Sequence, residues 1–178
     1  GDSVRGGLVQ RGAVADCALE EGWGPRITVA DLDEDLRVLM KFEITASVST
    51  ADAIQHIDVL IDTSSDLDRP EGAKRGIELA ECCLDRNPTP GETTLLHYFA
   101  ANAWSILQAT SRRNSDSIWD WEQTEIENEI IHLRLALTGP GFSELPDVRR
   151  CQIATNVGNL LSPVGRFVEA IEYWNRAF

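Results

Sequence analysis

The chain has 178 residues, 43% of them hydrophobic, which is enough to bury one continuous core and too little for several large domains. Its 16 basic and 29 acidic residues leave a formal net charge of −13, which repels phosphate backbones and argues against nucleic acid as a direct partner. The acids fall in short groups, Asp31, Asp33, Glu34 and Asp35, then Glu122, Glu125, Glu127 and Glu129, with the spacing of solvated helix faces and first turns.

Residues 1–30 hold much of the glycine and show little periodicity, so they read as an irregular lead, with a short helix around Val14 to Glu21 as the alternative. From Asp31 onward the chain reads as one helical domain over 31–178. Leu32, Leu36, Leu39 and Met40 recur at three and four, predicting a first helix over 33–47. Ser49 and Thr50 offer a cap for a second helix over 50–63, whose stripe is Ala53, Ile54, Ile57, Leu60 and Ile61. Asp66, Asp68 and Pro70 break it, and Glu71 to Arg86 forms a third helix. Thr89, Pro90 and Glu92 then match a capping box with proline at the first helical position. That fourth helix runs through Phe99, Trp104 and Leu107 to a polar break at Ser111–Ser115. A fifth spans about Ile118 to Leu137 and stops at Thr138-Gly139-Pro140-Gly141. Two more, over 146–162 and 166–178, meet at a turn holding Gly165. No run alternates with the period of two that a sheet requires, so the fold class is all-α.

The last thirty residues carry the strongest pattern. Val157-Gly158, Leu161, Ala170, Trp174 and Ala177 resemble a tetratricopeptide repeat, whose small residues let two helices approach and whose aromatic fills the space beside them. Ala154 stands where that repeat usually has tryptophan. Gly158 and Ala170 are read as packing residues, and Trp174 as the wedge toward the neighbouring pair. Ala101 and Asn102 stand in register with Gly158 and Asn159, Leu133 and Ala136 with Trp174 and Ala177, and Trp104 is read as core. Ala73, Ile77 and Ala80 reproduce the second-helix spacing once more. The resemblance implies an α-solenoid of about three antiparallel helix pairs plus an N-terminal helix. The interval from Asn102 to Asn159 exceeds the period of about 34 residues, so an insertion is expected, as lengthened helices and the loop around 108–118 and 139–146.

The His97-Tyr98-Phe99-Ala100-Ala101-Asn102-Ala103-Trp104 helix, together with the terminal repeat, also resembles the N-terminal region of bacterial proteins that carry a HEPN domain further on. That family implies a metal-independent ribonuclease of toxin or anti-phage systems, built on an Arg-x₄₋₆-His motif. His56, His97 and His132 have no arginine at that spacing, so the implied nuclease would lie beyond Phe178. The chain opens at Gly1 without methionine and ends inside an amphipathic pattern, and the natural protein is expected to continue.

No catalytic set emerges. The three histidines lie on separate predicted helices as surface or boundary residues, and neither a phosphate-binding glycine loop nor a metal-ligand cluster is present, so no cofactor or metal is expected. Cys17, Cys82, Cys83 and Cys151 form no CxxC pair, which suits a reducing cytoplasm; adjacent Cys82 and Cys83 point about 100° apart on a helix, so only one can be core. No apolar run approaches the roughly 20 residues of a membrane span, and no leader opens the chain.

The expected role is therefore binding, as a regulatory or sensor segment. The partner is a protein, a peptide or the same protein's downstream domain, and self-association through the last helix is an alternative. Asn102, Asn156 and Asn159 project from first helices, where an amide can pair with an extended peptide backbone or with a neighbouring helix. Tyr98, Arg149 and Arg150 complete the groove candidates. Gln152 and Thr155 stand where a clamp for a terminal carboxylate would have cations, so no such clamp is expected. Trp119 and Trp121 flank Asp120 and cannot share a helix face, leaving one as a candidate contact.

Overall fold

Helix α1, Val29–Leu39, begins at a capping box: Asp31 N–H donates to Thr28 Oγ1 at 3.2 Å and Thr28 N–H donates to Asp31 Oδ2 at 2.8 Å. The computed structural model describes residues 28–113 and 124–177, and over them the chain is all-helical. The irregular lead over 1–27, Cys17, Trp119, Trp121, the start of the fifth helix and Phe178 lie outside the described residues.

The helix predicted over 33–47 is thus shifted, and it stops at Leu39. Long-range contacts end it. His56 Nε2 bonds the Leu39 carbonyl at 2.8 Å, and an Arg75 amino group donates to the Phe42 carbonyl at 2.8 Å. Phe42 stacks on the His56 ring with centroids 3.9 Å apart. These contacts, none of them local, hold the segment after Leu39 as a loop against the core.

Helix α2, Thr50–Asp66, is capped by Ser49, whose hydroxyl accepts from Asp52 N–H at 3.1 Å. Asp68 turns through a left-handed φ of 57° and Pro70 opens α3, Pro70–Leu84. Thr89 and Glu92 form the predicted box, with Thr89 N–H donating to Glu92 Oε2 at 2.8 Å and Glu92 N–H to Thr89 Oγ1 at 3.3 Å. The helix it opens, α4, covers Pro90–Arg113 and so includes the first three residues of the predicted polar break. Two tertiary contacts support its last turn: Ser111 Oγ donates to Glu125 at 3.0 Å, and Arg113 pairs with Asp68 on the α2–α3 turn. Residues 108–113, inside the expected insertion, are the last turns of a lengthened helix.

Helix α5 runs Thr124–Thr138, followed by a 3-10 turn at Pro140–Glu144, α6 at Asp147–Leu161 and α7 at Phe167–Ala177. Gly141 anchors the 3-10 turn, since a Cβ there would lie 1.9 Å from the Pro90 carbonyl oxygen.

Helices α2 and α3, α4 and α5, and α6 and α7 pack as sequential pairs, and α3 also packs on α4. Their arrangement is consistent with a helical repeat. Ile57, Leu60, Leu96 and Phe99 are essentially fully buried in the main core, each contributing about 1.5–3 kcal/mol by removal from water. A smaller cluster of Ala101, Leu133 and Val157 joins α4, α5 and α6. Among the described residues no helix is long and apolar enough to cross a membrane.

Candidate functional site

The first helix of each pair, α2, α4 and α6, contributes to the wall of one groove of about 830 Å³. Ile61, Asp62 and Ser65 come from α2, Tyr98, Asn102 and Ser105 from α4, and α6 faces them across the gap. Tyr98 is only 5% exposed, so it forms the floor rather than the rim.

Asn156 Nδ2 donates to Asn102 Oδ1 at 2.8 Å, bridging α6 and α4 across the groove. The bond uses one donor and one lone pair, leaving the Asn102 amino group and the Asn156 carbonyl oxygen as a donor and an acceptor side by side. Flipping both amides exchanges the roles and leaves the same complement. The two candidates therefore serve the interhelical contact and the groove wall together. Asn159 does not line this groove but shares a second cavity with both. It is exposed and accepts from Trp174 Nε1 at 3.2 Å.

The other candidates fall elsewhere. Arg149 donates to Asp58 Oδ2 at 2.6 Å and lies over the Phe99 ring, 5.3 Å from its centroid, so it ties α6 to α2 and α4. Arg150 pairs with Asp147 one turn earlier and lines a separate cavity of about 340 Å³ beside Tyr173 and Arg176. Neither cation lines the groove. Gln152 and Thr155 do, and among the described residues the charged ones in the groove wall are Asp62 and Asp147. Partial burial, then the nearby charges of Asp58 and Asp66, push the Asp62 carboxyl up, with Arg149 opposing.

Among the packing candidates, Ala101 and Ala170 are buried at 1% and 0% exposure. Trp174 covers Gly158, where a Cβ would lie 2.5 Å from the indole Nε1. That contact is within the α6–α7 pair. Trp104 is half-buried against the main core, and its Nε1 has no partner among the described residues.

Two features were missed in the sequence. His97 and His132, read as isolated boundary residues, meet with Nδ1 atoms 3.0 Å apart between α4 and α5. Burial lowers the pKa of both, and for His97 the neighbouring His132 adds to it. Among the described residues no group of three or more His, Cys, Asp or Glu side chains is arranged to hold a metal.

Glu129, read as part of a solvated face, is 7% exposed. The signal was in the register: with Leu133 matched to Trp174, Glu129 occupies the place of Ala170 and of Ala73, both 0% exposed. Burial raises its pKa to about 7, against a hydrogen bond from Ser105 that lowers it. Its Oε2 has no partner among the described residues. No family model, curated protein or solved structure matches the chain.

Proposed function

We propose that the chain is an interaction module of tetratricopeptide type that binds an extended peptide segment of a protein partner, or of its own downstream domain, across α2, α4 and α6. The observation that carries this reading is the groove itself, which three successive first helices line and the Asn102–Asn156 amide pair crosses. An extended peptide exposes an N–H and a C=O at each residue, and a paired donor and acceptor can engage both without reading the side chain. The wall's hydroxyls and amides, Ser65, Ser105, Gln152 and Thr155, extend the same capacity. Cys82, Cys83 and Cys151 are free thiols, in keeping with a reducing cytoplasmic setting.

Selection of random linear peptides of about ten residues on the whole chain tests the reading. Enriched peptides should lose affinity about tenfold when Asn156→Ala or Asn102→Ala removes half of the amide pair. Selection without enrichment, or peptides indifferent to both substitutions, would refute it.

A further inference from the structure

Glu129 is the one buried acidic or basic side chain among the described residues, and it lines a second cavity of about 270 Å³. The two cavities share Asn102, Ser105 and Asn156, so the second opens off the groove at the α5 side. Glu129 lines this cavity and its Oε2, just beneath the surface, has no donor; a buried carboxylate without a donor is costly, and a ligand donor that reaches it by a small movement of the wall recovers that cost. The walls say what kind of donor fits. Ile126, Leu160 and Val164 offer apolar surface for an aliphatic stem, while Ser105, Gln108 and Asn159 surround the polar end. Among the described residues the groove leading to it is lined by Asp62, which also feels Arg149, by Asp147, which pairs with Arg150, and by no cation, so its wall is acidic rather than basic.

We infer that this cavity is a specificity pocket for a lysine or arginine side chain of the bound peptide, with Glu129 as the anion that receives it. The inference rests on the groove reading for the peptide but not for the pocket's own chemistry. Arg112 is the one cation among the described residues of the wall, and it makes no ion pair with Glu129. The other ionisable groups nearby are on α5 itself, Glu125, held by Ser111, and His132, held by His97; α6 brings only amide and apolar side chains. Because the Glu129 carboxyl titrates at about 7 and only its ionised form attracts a cation, binding strengthens as pH rises, about tenfold between pH 6 and 8.

The direct test titrates the whole chain with Nα-acetyl-arginine-N-methylamide and with the uncharged Nα-acetyl-norleucine-N-methylamide, following the Glu129 carboxyl resonance by NMR. The arginine probe should shift it saturably and the norleucine probe should not. Glu129→Gln, which keeps the shape, should weaken the arginine probe about tenfold or more. Circular dichroism confirms that each variant is folded. Equal responses to the two probes, an affinity that Glu129→Gln leaves within about twofold, or a flat pH profile overturns the pocket. In the peptide selection, enriched sequences without a fixed lysine or arginine overturn the pocket and leave the groove standing. Arginine-probe binding at Glu129 without any enriched peptide does the reverse.

Discussion

Glu129→Gln is expected to stabilise the protein in a manner that grows with pH. In the unfolded chain a glutamate titrates near 4.5, whereas in the folded protein burial moves Glu129 to about 7. A folded-state pKa above the unfolded one means that the native protein holds the proton more tightly, so its relative stability is greatest below pH 4.5 and falls as pH rises toward 7. The interval between 4.5 and about 7, at about 1.4 kcal/mol per unit, corresponds to about 3 kcal/mol lost once the carboxyl must ionise in the fold. Glutamine never ionises and escapes that loss. Urea unfolding of both proteins, read by circular dichroism, should show the variant ahead by less than about 1 kcal/mol at pH 5 and by about 3 kcal/mol at pH 8. Taking the difference cancels the many other acids. A gap that stays constant from pH 5 to 8, or a variant less stable at pH 8, would show that Glu129 is not a buried acid.

Other outcomes follow from the packing and the histidine pair. Gly141→Ala places a Cβ against the Pro90 backbone, which cannot swing aside, and should cost about 1–3 kcal/mol by thermal unfolding. Gly158→Ala meets the Trp174 ring instead, which is half-buried and can move, so its main effect should be faster hydrogen exchange in α7 with little change in the first four helices. His97 and His132 should both titrate below the ordinary histidine value in an NMR pH series, and stability should fall as acid protonates them in the fold. Arg149→Ala should cost about 1 kcal/mol through its ion pair with Asp58 and its contact with Phe99, measurable as a lower urea midpoint with an unchanged slope.

The existence of the helices and several of their ends were legible because the signals are local. The Thr89–Glu92 box, the Ser49 cap and the Gly139 stop involve residues within four of one another, and the structure uses each of them. The Thr28–Asp31 box is equally local, but it stood at the edge of a stretch dismissed as irregular. The end of α1 and the extension of α4 were not legible. They depend on His56, Arg75, Glu125 and Asp68, residues 14 to 45 positions away from those they hold.

The candidate site divides in the same way. Asn102 and Asn156 could be placed on first helices by spacing, yet that they bridge two helices required the packing of α4 against α6. Arg149 looked like an exposed helix-start cation until α2 brought Asp58 to it. Residue order alone determined the all-helical class, the sequential pairing and the small-residue positions, because helix periodicity and caps act over one or two turns. Tertiary structure alone decided which polar groups meet and which are cut off from water. Glu129 has the same side chain as Glu127 two positions before it, and only the packing around α5 leaves one a solvated acid and makes the other a buried one.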